Sequence, residues 1–254
     1  MDGFDPKAIL DWFVDLVAKT FYIAKKEIKT YFVSPIAYIM TVAFLFIAGY
    51  FFTMHLVNSM RADMMGFLHN MGVIMLFMVP GLTMRLLAEE RRQKTMELLM
   101  TSPVTPTQIV LGKYLACMFL MVTMVALTLL YPWIIHHYGG KLDWGPVVTG
   151  YVGLILLIGA LVSVGVFTSS FTDNQLVAAV VAFALLLLFW IVSWLTVYLE
   201  SGWMSTAAEA LSIFLPFGDF IKGVIETRYY VYYGSVVFVF LFASVRMLEA
   251  SRWR

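Results

Sequence analysis

Charge is scarce in this sequence. Asp, Glu, Lys and Arg make up 13% of its 254 residues, whereas a soluble domain carries about 25%. With apolar side chains at 61% and a mean hydropathy of +0.86, the solvent around most of the chain is lipid. A single cysteine, Cys117, excludes an internal disulfide and reads as a small packing residue. The net charge of +1, with no Lys/Arg cluster interleaved with aromatics, excludes a nucleic-acid footprint. The first residues are not expected to form a cleavable signal peptide, because Asp2, Asp5, Asp11 and Asp15 interrupt them.

Catalytic signatures are missing as well. Nothing matches G-x-x-x-x-G-K-[ST]: Gly112-Lys113 is followed by Tyr114, and Thr107 stands where the first glycine belongs. Neither H-E-x-x-H nor G-x-S-x-G occurs. The chain therefore has no device of its own for hydrolysing ATP and is not expected to be an enzyme.

What is present is a set of continuous apolar blocks. A hydrocarbon slab of about 30 Å takes roughly 20 helical residues, and blocks 36–57, 67–87, 111–135, 147–170, 176–199 and 229–246 are long enough. Continuous rather than alternating apolarity favours helices over a barrel. The expected fold is an all-α integral membrane protein, a single transmembrane domain over 1–254. Six spans put both termini on one side. Thirteen of the 17 Lys and Arg residues fall on that side, which makes both termini cytoplasmic by the positive-inside rule. No Asp, Glu, Lys or Arg is expected at mid-membrane depth, which disfavours a proton- or sodium-coupled carrier. His55, His69, His136 and His137 map to the outer ends of spans, and no metal site or haem is expected from them.

Three segments stand apart from the spans. Residues 8–34 read as an amphipathic helix, with Asp11, Asp15, Lys19, Lys26 and Lys29 on one face and Lys25 beside it. It lies on an anionic leaflet or docks on a partner, and Ser34-Pro35 ends it. Residues 203–228 hold two apolar stretches too short to span, divided by Pro216 and Gly218. They read as an external re-entrant or interfacial hairpin, with Tyr229, Tyr230, Tyr232 and Tyr233 marking the outer interface after it. Between the second and third spans, the charged residues Glu89, Glu90, Arg91, Arg92 and Lys94 lead into an apolar patch of Met96, Leu99 and Met100, with Glu97 inside it and Pro103 ending it. That segment suits docking in another protein's groove. Within the spans, Pro80-Gly81 is expected to kink the second, and Gly159 and Ser163 give the fourth a small-xxx-small spacing.

The run "LLAEERRQKTMELLMTSPVTPTQIVLGKYLA" resembles the segment after the second span of type-2 ABC-transporter permeases. The match rests on Glu89, Glu90, Arg91, Thr95, Glu97, Leu98, Leu99, Pro103, Gly112 and Lys113, with Lys94 where the usual glycine stands. "AKKEIKTYFVSPIAYI" is similar to the family's N-terminal interface helix, and Phe214–Val224 to its outer hairpin. The combination is similar to the gliding-motility-associated branch.

The resemblance implies a permease subunit in a bacterial inner membrane, paired with a second permease copy or a homologue. It implies two copies of a cytoplasmic ATPase that hold ATP and Mg, with no cofactor on this chain. Residues 88–103 would be the coupling helix. Lys19, Lys25, Lys26 and Lys29 would hold the interface helix at the membrane lipids. Phe214, Pro216, Phe217, Gly218 and Asp219 would form an external gate. Arg85 and Lys113 flank the coupling helix, where they either transmit its tilt or contact headgroups. Two functions share these features: export of an amphipathic substrate, or ATP-driven work on a periplasmic or lipid-linked partner with no translocation.

Overall fold

The computed structural model describes residues 6–59, 63–93, 104–198 and 202–251. Among these the secondary structure is helical, with no strand. In chain order the helices are α1 (Pro6–Val33), α2 (Pro35–Ser59), α3 (Met65–Thr83), α4 (Ala88–Arg92), α5 (Pro106–Leu127), α6 (Leu130–His137), α7 (Trp144–Ser169), α8 (Gln175–Tyr198), α9 (Trp203–Leu211), α10 (Leu215–Ile221) and α11 (Thr227–Ser251). Among the described residues, six segments are long and apolar enough to cross a membrane: Pro35–Ser59, Met65–Arg92, Pro106–His137, Trp144–Ser169, Gln175–Thr196 and Thr227–Ala250. Each overlaps an expected block. The six blocks are legible because in lipid a continuous apolar helix is the one open structure that satisfies its own backbone.

The bundle is built around α7, which packs against α3, α5, α8, α10 and α11. Of its most apolar stretch 78% is buried, and of α3's 72%, against 22% for α2, 17% for α8 and 22% for α11. Small residues place α7 at the centre, since lipid gives apolar helices no reason to associate and close backbone approach must supply the attraction. Gly159 meets the Tyr114 hydroxyl, which donates to the Gly159 carbonyl at 3.3 Å. Ser163, its expected partner in the small-xxx-small spacing, is buried but turns its hydroxyl back to Ala160 O at 2.7 Å.

The third span is broken, which apolarity alone does not announce. α5 ends at Leu127 and α6 starts at Leu130. Pro132 has no N–H to give the Thr128 carbonyl four residues back. That carbonyl accepts instead from the Tyr131 amide at 3.0 Å and from the Tyr151 hydroxyl of α7 at 3.0 Å. At its other end this span starts at Pro106, five residues before the expected 111. A capping box fixes the start: Thr105 Oγ1 accepts from the Gln108 amide, and the Gln108 side chain accepts from the Thr105 amide.

Candidate functional site: a buried lysine between three helices

α1 lies along α5, its most extensive packing partner. Thr20 and Ala24 are buried in the contact, and Ile23, Glu27 and Tyr31 are half-buried beside them, a stripe at the spacing of one helix face. Lys25, Lys26 and Lys29 are exposed away from it, and Lys19 pairs with Asp15 at 2.8 Å. The approach depends on Gly112: a Cβ there would sit 2.7 Å from Ile23 Cγ2 and 3.1 Å from the Thr20 carbonyl. Only glycine lets the two backbones come this close.

The next residue exploits that closeness. Lys113 is 2% exposed, and its Nζ lies 3.0 Å from Glu27 Oε1 of α1 and 2.8 Å from Glu90 Oε1 of α4. One ammonium thus ties the N-terminal helix, the start of the 88–103 segment and the third span. Its burial removes headgroup contact as a role for Lys113. Nearby, burial first, then Cys117 and Glu27, push the Tyr31 phenol well above its ordinary pKa, so it stays neutral.

α4 is held from two further directions. Its acids, Glu89 and Glu90, occupy the first turn and its bases, Arg91 and Arg92, the last, as the helix dipole favours. Arg85 Nε lies 3.5 Å from Glu89 Oε2, and Arg91 Nη1 4.0 Å from Asp173 Oδ1 in the connection between α7 and α8. The fully buried Ser169, at the end of α7, accepts from the Leu87 and Ala88 amides, both at 3.1 Å, and donates to the Met84 carbonyl at 3.2 Å. The turn between α3 and α4 would otherwise leave these backbone groups buried without partners.

Of the residues read as coupling, Glu89, Glu90, Arg91 and Arg92 lie in α4; Lys94, Thr95, Glu97, Leu98, Leu99 and Pro103 fall outside the described residues. Glu27, Ser169 and Asp173 were missed by the sequence reading. Glu27 had a signal, since 20, 24, 27 and 31 share one face opposite the exposed charges. Ser169 and Asp173 had none.

At the other end of the bundle, α9 and α10 form the two short helices between α8 and α11. Phe217 is 2% exposed and sits where a Gly72 Cβ would stand, 2.5 Å from it; Phe220 is fully buried in the same way against Gly153, again at 2.5 Å. Thr149 Oγ1 donates to the Phe220 carbonyl at 2.8 Å, and the Tyr233 hydroxyl to the Ile213 carbonyl at 2.9 Å. Asp219 accepts from Tyr229 and Lys222. Pro216 is buried, while Phe214 and Gly218, with His69, Trp190 and Trp194, line a cavity of about 320 Å3. Gly153→Leu is expected to expel Phe220 and free the α10 segment. Limited proteolysis between residues 212 and 226 should rise at least about tenfold, as loss of a packed core aromatic of about 2–3 kcal/mol implies; an unchanged pattern would mean the socket does not hold it.

Among the described residues no group of three or more His, Cys, Asp or Glu could hold a metal ion. Compared with known proteins, residues 31–247 match the family model of the ABC-2 family transporter proteins. No curated protein matches the chain.

Proposed function

We propose that this chain, which belongs to the ABC-2 family of transporter proteins, is the permease subunit through which a separate ATPase drives export of an amphipathic substrate. The observation that carries the reading is the contact of Lys113 with both Glu27 and Glu90. A docking segment that is to move a membrane bundle needs a stiff connection at its root, and this ion junction supplies one to two helices at once. The segment 88–103 seats in a cleft of the ATPase, which is present in two copies and binds ATP and Mg. A second permease copy or a homologue completes the complex. ATP shifts the bundle only as far as the segment binds one ATPase conformation better than another.

A contiguous route leads on from the junction. Ser169 joins the α3–α4 turn to α7, and α7 carries Gly153 against Phe220. Tilt at 88–103 is thereby passed to the segment containing Phe214, Pro216, Phe217, Gly218 and Asp219, which gates the aromatic cavity beside Trp190 and Trp194. The charge asymmetry supports cytoplasmic termini in a bacterial inner membrane, with the exposed lysines of α1 at its anionic surface. The Phe214–Val224 stretch and the α1 sequence favour the gliding-motility-associated branch.

Co-purification of an ATPase with the chain tests the assignment directly; its failure with nucleotide present would overturn it. Glu97→Lys should release that ATPase while membrane insertion is retained, and unchanged binding and turnover would remove the coupling role of 88–103. In reconstituted vesicles, ATP-dependent substrate accumulation supports export. Strong ATPase activity without flux, altered by a periplasmic partner, would favour work on that partner instead.

A further inference from the structure

A cavity of about 490 Å3 opens between α5 and α11, both long and apolar enough to cross a membrane. One wall is a single face of α11 from Gly234 to Glu249, which at 1.5 Å per residue runs about 22 Å. Val237, Leu241 and Val245 of α11 line it together with Val110 and Leu111 of α5. Polar groups gather at one end only: Thr107, Arg246 and Glu249. Arg246 Nη1 lies 3.0 Å from Glu249 Oε2, with the two side chains 64% and 41% exposed, so water screens the pair and it opens readily.

The surroundings select the occupant. The groove is apolar along most of its length and lies between two helices long enough to span, so lipid chains are at hand along it. From Gly234 to Val245 its apolar wall runs about 16 Å, close to the roughly 15 Å of one leaflet's hydrocarbon, so an acyl chain lies along it from the charged end. At that end the occupant meets one cation and one carboxylate side by side. We propose that the groove holds an ethanolamine glycerophospholipid of the leaflet on the Arg246 side, with an acyl chain against α11, its phosphodiester on Arg246 and its ammonium on Glu249. Both head contacts are charge-assisted hydrogen bonds.

The test uses the full-length chain reconstituted in vesicles of equal phosphatidylethanolamine and phosphatidylglycerol, extracted in mild detergent, with retained lipid quantified by mass spectrometry. The ethanolamine lipid should be retained over the glycerol lipid by about fivefold, the upper range for one exposed ion pair. Gly234→Leu blocks the groove from its open end, where nothing lies within 4 Å of an added Cβ. It should lower retention of both lipids with no loss of thermal stability. Glu249→Gln should erase the preference between the two lipids while total phospholipid is kept, and Arg246→Gln should lower both. Equal retention of the two lipids by the unaltered chain, enrichment of the glycerol lipid, or unchanged retention in Gly234→Leu would each overturn the proposal. None of these readouts depends on an ATPase, so the outcome is separable from that of the transport assignment.

Discussion

Lys113→Met should give a folded but destabilised chain whose ATPase partner turns over no faster with it than alone. Methionine fills nearly the same volume, so the cost is electrostatic. Glu27 and Glu90, whose side chains are only 19% and 21% exposed, lose their common cation. Removing one partner of a buried ion pair costs about 3–5 kcal/mol; the residual exposure of the two carboxylates places this case at the low end. A thermal melt in detergent reads that loss. The triple variant Glu27→Met, Lys113→Met, Glu90→Met separates stability from transmission, because replacing a whole buried ionic group with apolar side chains of similar volume is often close to neutral. Its melting temperature should return towards that of the unaltered chain, while stimulation of the ATPase stays lost. A triple variant that couples normally would mean that the junction is structural and that motion enters the bundle elsewhere.

The fold was largely legible because apolar length is a one-dimensional property. What hydropathy could not rank was position within the bundle: α7 and α8 are both uniformly apolar, yet one is at the centre and the other at the rim. The difference lies in side-chain size. Gly150, Gly153, Gly159, Ser163 and Gly165 let neighbours approach α7 from several sides, whereas the leucines and tryptophans of α8 keep them away. The break at Thr128 was hidden in the same way, since an apolar sum runs straight through it.

The site was half legible. A lysine next to a glycine at the root of a charged segment was visible, but its partners were not. Glu27 is 86 residues away and Ser169 more than 80 from the amides it holds, and only the return of α1 onto α5, and of α7 beneath α4, brings them there. Ion pairs between exposed charges one helical turn apart, such as Asp15 with Lys19, follow from spacing. Buried pairs between helices follow from packing, which spacing does not encode.

Gly165→Ala should be the most damaging small substitution in the bundle. The added Cβ would lie 2.2 Å from Thr83 Oγ1 and 2.7 Å from Thr83 Cβ. Thr83 is fully buried and its hydroxyl is bonded to the Val79 carbonyl at 2.9 Å, so it cannot swing aside as a long flexible side chain would. Overpacking of this kind costs about 1–3 kcal/mol and sometimes more, and it should lower the melting temperature accordingly. Because one of the contacts is to Cβ itself, Thr83→Ala should relieve only part of the strain and Thr83→Gly the greater part. The wedge also falls one helical turn from Ser169. Forcing α3 off α7 there should break the hydrogen bonds from Leu87 and Ala88, and amide exchange at 87 and 88 should rise in Gly165→Ala and fall again when Thr83→Gly is added. Rescue of stability without recovery of protection at those two amides would show that Ser169 does not depend on the crossing. The link from the 88–103 segment to α7 would then have to run through the Lys113 junction and the Arg91–Asp173 pair.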